Sequence, residues 1–326
     1  MSLTYDTRAA ALFHPEQDSA ELPLEEGQQP SELALAAECA RLAYLRIEEP
    51  TGAQTKRLNQ ALARFGFGPA ERFGHSNTGS QGYGTYRPAD RCAVIAVRGT
   101  QTDEWQDAFS DVGIRPMPPA HGSNGRVHNG FLQSSIGLLP DMRTWLADLP
   151  QPLARRVVCG HSLGAAVATL LAEPLAAHRL VTLGSPRVAD AAYRQRLSGL
   201  HHLDITRIVD GCDVVTMVPP GEMVVPDFIF NMLEGVLSGA LAGLEWLPAR
   251  LRELSGRALP YCHLGRKIYI DRDGRLHPEP AADFITSDRW RAILTWPTLG
   301  VEHVPTRLLS DHAPINYLRA LWPLAP

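Results

Sequence analysis

The stretch that decides the fold is VVCGHSLG at residues 157–164, which is followed by the helix-forming run AAVATLLAEPLAAH. A β-branched run that ends in Gly-x-Ser-x-Gly and continues as a helix is typical of a nucleophile elbow, where a serine occupies a strained turn. Glycines on either side of Ser162 would let the strand and the helix pass closely. The free N–H groups at the helix N-terminus would stabilise an oxyanion beside the serine. We therefore predict that Ser162 is a catalytic nucleophile.

Alternating strand and helix patterns surround this motif. Hydrophobic periodicity and turn residues predict helices over 31–47, 53–64 and 130–148, and strands over 82–87, 92–98, 155–160, 179–184, 204–209 and 266–270. This alternation predicts a mostly parallel central sheet with helices on both faces, so the fold class is α/β. Residues 1–30 are expected to form a loosely ordered polar lead-in. Residues 31–326 are expected to form a single domain, because no linker divides them.

Composition and charge describe an ordinary globular protein. The chain has 326 residues, of which 44% are hydrophobic and 20% charged, and its net charge is −4 without any block of like charges. A nucleic-acid partner is therefore not expected. The N-terminal stretch lacks the cationic start and continuous apolar run of a secretory signal. This favours a cytoplasmic location by default and leaves export without a cleavable signal open.

The cysteines and histidines give no indication of a disulfide framework or a metal centre. Five cysteines lie far apart in the sequence, an odd number that does not suit paired disulfides. Cys92 and Cys159 fall in apolar strand-like runs and are expected to be buried, unreactive thiols. The sequence has no Cys/His cluster with metal-ligand spacing and no phosphate-binding loop, so we expect no metal and no organic cofactor.

Eight short motifs, counting the elbow, follow one another along the chain. They are VRGT at 97–100, Trp105, VHNGF at 127–131, GHSLGAA at 160–166, TLGSPRVAD at 182–190, DVVTMVPP at 213–220, YCHLGRKIYI at 261–270 and DHAPINY at 311–317. In this order they resemble the class 3 lipase family, the fungal triacylglycerol lipase type of α/β hydrolase. Each motif is weak or moderate on its own, whereas eight in the same order form a specific signal. The resemblance implies an α/β-hydrolase fold with a nucleophile elbow and a lid.

The resemblance also implies a Ser-His-Asp triad, whose members follow the chain order serine, acid, histidine in this fold. Two acids, Asp210 and Asp213, stand at the end of the strand predicted over 204–209, and each is also a common turn residue. The family's acid precedes a valine-rich run that leads to Pro-Pro. This favours Asp213 over Asp210 as the catalytic acid.

Four histidines follow the acid in the chain: His263, His277, His303 and His312. The resemblance favours His312, in the D-H-x-x-x-x-Y segment, as the catalytic base. It implies that His263 of YCHLG is a structural hydrogen-bonding residue. His128 precedes the serine and is also expected to be structural. His161 occupies the variable position of the elbow and is expected to point away from the chemistry.

The oxyanion hole needs two or more converging hydrogen-bond donors. One is the backbone N–H of Leu163, directly after the nucleophile. By resemblance the second is Thr100, through its backbone N–H and its hydroxyl. In the family the next segment forms a mobile lid, here 101–111, where Trp105 and Phe109 lie four residues apart on one helical face. These two side chains either pack inward as core or cover the serine and open on lipid.

The segment 228–247, FIFNMLEGVLSGALAGLEWL, lies in a cap-like or lid-like insertion over 221–260 between the acid and the base. As a helix it would carry leucines and alanines on one face and two glutamates with an asparagine on the other. Three interpretations stay open: a core or cap helix, a helix that contacts lipid or an acyl chain, and a membrane span, which those polar residues disfavour.

The residues and the resemblance together predict an enzyme, a serine hydrolase that cleaves carboxylic ester bonds of lipids through an acyl-enzyme. Lipase and phospholipase A activities both fit, since acyl and head-group preference depends on loops. The expected partners are the lipid ester substrate and a lipid interface or membrane surface that the protein contacts peripherally. The alternative is a non-catalytic membrane-surface or interaction protein that retains the hydrolase shell.

Overall fold

The computed structural model describes residues 5–17, 30–49, 52–99, 115–120, 124–219, 249, 252–253, 260–297, 300 and 302–322. The helices are α1 (Ala9–Phe13), α2 (Glu32–Leu42), α3 (Ala53–Ala63), α4 (Asn129–Asp148), α5 (Leu163–Ala172), α6 (Ala191–Ser198), α7 (Ala282–Leu294), α8 (Arg307–Ser310) and α9 (Pro314–Leu321). The strands are β1 (Glu71–His75), β2 (Ser80–Arg87), β3 (Cys92–Val97), β4 (Pro116–Met117), β5 (Val127–His128), β6 (Arg155–His161), β7 (Arg179–Leu183), β8 (Asp204–Asp210), β9 (Arg266–Ile270) and β10 (Leu276–Pro278).

An eight-stranded sheet forms the centre of the described structure, in the order β1-β2-β3-β6-β7-β8-β9-β10. The strands from β3 to β9 in this order run parallel. Antiparallel strands complete both edges, β1 and β2 at one and β10 at the other. Strand β3 is buried at every position, as expected for a parallel strand covered on both faces. The mostly parallel sheet predicted from the alternating pattern is confirmed.

Helices cover both faces of the sheet. The Tyr83 side chain of β2 points to α2, where its hydroxyl donates to the Cys39 carbonyl at 3.0 Å. The next residue, Gly84, faces α4 instead, because a Cβ atom there would overlap the ring of Trp145. Helix α5 packs against α4, and α9 packs against α2. The predicted α/β fold is thus confirmed. The residues that follow the parallel strands β6 and β8 meet at the carboxyl ends of these strands.

Residues 5–17 differ from the loosely ordered lead-in expected at the N-terminus. The Tyr5 hydroxyl donates to Asp311 Oδ1 at 2.5 Å, a contact between residues 306 positions apart. The guanidinium groups of Arg307 and Arg319 lie over the Tyr5 ring, 5.1 and 4.3 Å from its centroid. Composition could not indicate this order, because the partners of the segment lie at the other end of the chain.

The main chain of Asp6 strengthens the same attachment. Its N–H donates to the Asn316 side-chain oxygen, and its carbonyl accepts from the Asn316 side-chain nitrogen, each at 2.8 Å. Helix α1 packs against α8 and α9. The N-terminal segment is therefore pinned to the helices on either side of His312.

Tyr5→Phe is expected to lower the free energy of unfolding by about 1–3 kcal/mol, because it removes a hydrogen bond to the buried Asp311 carboxyl group and retains the ring. Urea unfolding followed by circular dichroism measures the difference. Tyr86→Phe is the matched control, since Tyr86 is also partly buried and its hydroxyl makes no hydrogen bond within the described ranges. Equal losses in the two variants would contradict the role assigned to the Tyr5 hydroxyl.

Candidate active site

Ser162 occupies a strained turn between β6 and α5. Its φ angle is 58°, in the left-handed region that residues other than glycine rarely adopt. Its N–H donates to the Leu183 carbonyl of the neighbouring strand at 2.9 Å. A Cβ atom on Gly160 would lie 2.5 Å from the main chain of Gly164, and one on Gly164 would overlap the end of β3. The helix therefore crosses the strand at a distance that only glycine permits at these two positions.

Three buried side chains form a hydrogen-bonded chain at the carboxyl ends of the parallel strands. His312 Nε2 lies 2.9 Å from Ser162 Oγ, although the residues are 150 positions apart. His312 Nδ1 lies 2.8 Å from Asp213 Oδ2. Each of the three residues exposes 2% or less of its surface. The structure thus brings together the residues that the sequence proposes as nucleophile, base and acid.

Asp213 is held in one orientation by further contacts. The Val215 N–H donates to Oδ1 at 2.8 Å, and the Tyr317 hydroxyl donates to Oδ2 at 2.5 Å. The Tyr317 oxygen in turn accepts from the Asp210 N–H at 3.1 Å. Tyr317 is therefore a positioning residue that the sequence reasoning did not single out. In the sequence it is the final tyrosine of the DHAPINY motif, and that position was the only indication of its role.

Asp210, the alternative acid, has different surroundings. It is fully buried, and neither carboxyl oxygen has a hydrogen-bond partner in the described part of the chain. Burial and the neighbouring Asp311 raise the pKa of Asp210 well above its usual range. This site favours a neutral carboxyl group, whereas the acid of a triad must stay ionised to stabilise a protonated histidine.

Asp213→Asn is expected to lower kcat about 10⁴-fold, the loss known for the same change in a serine protease triad. The amide would favour the wrong tautomer of His312 and would carry no charge. Asp210→Asn is the matched control and should retain the wild-type kcat, because its carboxyl group does not contact His312. Initial rates on a short soluble ester compare the two variants. A large loss in Asp210→Asn alone would identify Asp210 as the acid.

His161 lies beside the site, so the expectation that it points away is wrong. Its ring packs against His312 with the centroids 4.6 Å apart. Its Nδ1 atom lies 2.8 Å from the hydroxyl of Tyr44, which follows α2. Burial, and next the proximity of His312, lower the pKa of His161 well below its usual range, so the ring is neutral. The expectation failed because the end of β6 directs this side chain toward the layer of α2 and α9, next to His312.

The other two motif histidines do not contact Ser162. His263 Nε2 lies 2.8 Å from the Thr216 carbonyl, and burial lowers the pKa of this histidine well below its usual range. His128 stacks on Phe131 with the centroids 4.0 Å apart, and burial lowers its pKa to about 3. Both rings are therefore neutral and packed, which is compatible with the structural roles expected for them.

The oxyanion hole is described in part. Leu163 is the first residue of α5, so the helix leaves its N–H without an intrahelical acceptor next to Ser162. Its role as a donor stays a prediction. Outside the described residues lie Thr100, Trp105, Phe109 and the segment 228–247. The roles expected for these residues in oxyanion binding, in a lid and in lipid contact also stay predictions.

All five cysteines are unpaired thiols. Cys92 and Cys159 are buried, as the sequence predicts. Burial raises the pKa of Cys92 to about 11 and that of Cys159 well above its usual range. Both thiols are therefore protonated at neutral pH and poorly reactive.

Neither a cluster of metal ligands nor a membrane-spanning helix is present in the residue ranges that the structure describes. No group of three or more His, Cys, Asp or Glu residues in those ranges could hold a metal ion. None of the helices described there is both long and apolar enough to cross a bilayer.

This site has the arrangement of the α/β hydrolases. In that class the nucleophilic serine lies at a strained strand–turn–helix junction, and later loops of a mostly parallel sheet supply its histidine and acid. Within that class, residues 94–223 match the family model described as lipase (class 3). The matched range includes most of β3, the elbow and the turn of Asp213, and it ends before His312.

Similar proteins include two plant phospholipases. The chain is 35% identical over 153 residues to phospholipase A(1) DAD1, chloroplastic, of Arabidopsis thaliana, a match that covers 40% of this chain and 34% of that protein. It is 38% identical over 161 residues to phospholipase A1-II 4 of Oryza sativa subsp. japonica, covering 40% of each chain. The chain thus spans well under half the length of these relatives.

A solved triacylglycerol lipase shares the fold. Its catalytic centre is described as a serine protease triad. The two structures superimpose with a TM-score of 0.57 at 18% identity, over 89% of this chain and 99% of that one.

Proposed function

We propose that this protein is a serine hydrolase that cleaves carboxylic ester bonds of lipids. The observation that carries the proposal is the hydrogen-bonded chain from Ser162 Oγ through His312 to Asp213, built on the elbow turn. The match of residues 94–223 to the class 3 lipase family model supports it. The solved relative described as having a serine protease triad supports it further.

In the proposed mechanism His312 Nε2 accepts the Ser162 proton while Oγ attacks the ester carbonyl. Asp213 orients His312 through Nδ1 and stabilises the imidazolium that forms. The backbone N–H of Leu163, together with Thr100, stabilises the negative charge on the carbonyl oxygen. His312 then gives its proton to the leaving alcohol, and a water molecule that it activates hydrolyses the acyl-enzyme.

The proposed substrates are phospholipids and triacylglycerols. The plant relatives are phospholipases A1, and the solved relative is a triacylglycerol lipase. Both substrate types present a carboxylic ester to the same triad, so their head groups and acyl chains decide between them. We further propose a peripheral contact with the lipid surface, to which the segments 101–111 and 228–247 would contribute.

Parallel assays test this proposal. Dispersed phosphatidylcholine, dispersed triolein and soluble p-nitrophenyl butyrate are offered to the wild-type protein and to Ser162→Ala, and released acid is measured. A fluorophosphonate probe should label the wild-type protein and not Ser162→Ala, because it reacts only with an activated serine. A wild-type protein that hydrolyses none of the three esters and takes up no probe would favour the non-catalytic alternative.

A further inference from the structure

A cavity of about 800 Å³ lies apart from the triad, between α6, the first half of β8 and residues 260–266. None of the three triad residues lines it. Four arginines do: Arg187, Arg194, Arg207 and Arg266. Its volume is in the range of small-molecule sites. A cavity lined by this many cations indicates an anionic ligand.

The positive charge of the cavity is not balanced by nearby acids. None of the four arginines forms an ion pair within the part of the chain that the structure describes. Asp204 also lines the cavity, but its carboxylate pairs with Arg179. Glu279 is near enough to act on Arg207, but it also acts on the side chain of Lys267, a further cation. This local excess of positive charge contrasts with the net charge of −4 for the whole chain.

Arg207 is the arginine of this cavity whose buried Nε atom lacks a hydrogen-bond acceptor among the described residues. Burial lowers the pKa of Arg207 to about 10; the charge of Glu279 opposes this shift, and those of Arg187 and Arg289 add to it. A buried cation that forms no ion pair is costly to fold, and a bound anion would offset that cost.

Arg187 is held in place before any ligand arrives. Its guanidinium donates to the carbonyls of Met217 and Pro219, at 2.7 Å for the latter. Its own N–H donates to the Val218 carbonyl at 2.7 Å. The Met217 and Pro219 carbonyls accept from Nη1 of the guanidinium and add no negative charge. A side chain fixed in this way loses little entropy when it binds an anion.

We propose that this cavity is a binding site for a phosphate-bearing anion, held chiefly by Arg207 and Arg187. Guanidinium groups match the oxygen spacing of phosphate and bind it through paired, charge-assisted hydrogen bonds. The cavity is larger than a bare phosphate, so the group is attached to a small organic body. That body is either a phospholipid head group or a free phosphate ester. This site needs no ester cleavage and goes beyond the proposed function.

Binding is tested in the Ser162→Ala protein, so that no substrate is turned over and a failure of the proposed chemistry does not affect the result. Isothermal titration calorimetry measures the Kd for inorganic phosphate and for glycerol 3-phosphate. Adding Arg207→Gln is expected to weaken binding about 10- to 100-fold, the effect of losing charge-assisted hydrogen bonds. Arg72→Gln is the matched control on the exposed face of β1 and should leave Kd unchanged.

A second arm identifies the source of the phosphate. Short-chain phosphatidylglycerol, held below its critical micelle concentration, should compete with glycerol 3-phosphate if the natural ligand is a lipid head group. Binding of glycerol 3-phosphate without such competition supports a free phosphate ester. The proposal is overturned if none of the probes binds, or if Arg207→Gln and Arg72→Gln change Kd equally.

Circular dichroism checks that Arg207→Gln is folded. Should it not fold, the exposed pair Arg194→Gln and Arg266→Gln, combined in one variant, replaces it. These side chains lie at the cavity wall and not in the core. The double variant is expected to weaken binding at least tenfold on the same reasoning, and an unchanged Kd would overturn the proposal.

Discussion

Ser162→Ala is expected to lower kcat for ester hydrolysis about 10⁶-fold, as removal of the nucleophile does in a comparable triad enzyme. Without Oγ no acyl-enzyme can form, and only the oxyanion donors and substrate binding remain. The change removes a single buried atom from the turn, so the fold should persist. Initial rates on a short soluble ester measure the loss, and circular dichroism measures the fold.

Ser185→Ala is the control for this experiment. Ser185 is a buried serine in the loop after β7, and its hydroxyl donates to the neighbouring Pro186 carbonyl at 3.0 Å and not to His312. It should keep the wild-type kcat. If Ser162→Ala kept most of its activity while folded, another residue would have to be the nucleophile.

His312→Ala is expected to be as severe, about 10⁶-fold in kcat, since the nucleophile and its base act as a unit. The change removes both hydrogen bonds that connect Ser162 to Asp213. His263→Ala offers the sharpest comparison, because His263 is a buried histidine that belongs to another motif. It loses a hydrogen bond to the Thr216 carbonyl, so a lower melting temperature is expected, with kcat largely retained.

The two variants are compared at a temperature well below the melting transition of both. Rates on a short soluble ester separate a chemical loss from an unfolding loss. A folded but inactive His263→Ala protein together with an active His312→Ala protein would reverse the assignment of the base.

The elements predicted from sequence are those with a strong local pattern. The helix predicted over 31–47 forms as α2, and Ser31 caps it, since its Oγ accepts from the Ala34 N–H at 3.1 Å. The strands predicted over 92–98 and 155–160 form as β3 and β6, because continuous apolar runs suit strands buried on both faces. The strands β1 and β10 were missed. Only Phe73 of β1 is buried, and an edge strand with one partner leaves little hydrophobic pattern to detect.

By itself, the sequence determined the elbow at Ser162. Its strand, glycines and helix are adjacent in the chain, so φ/ψ preferences and local packing are enough to specify the turn. The sequence also placed His312 and Asp213 in motifs of the right order. It could not measure their distance from the serine.

Tertiary structure alone decided which side chains from distant parts of the chain contact one another. It placed Asp213 against His312 and left the Asp210 carboxyl group buried with no hydrogen-bond partner among the described residues, although the two acids are three positions apart. It turned His161 toward the proposed base and pinned Tyr5 to Asp311. These contacts join residues far apart in the chain. They depend on how the finished sheet and its helices direct each side chain, which no local preference specifies.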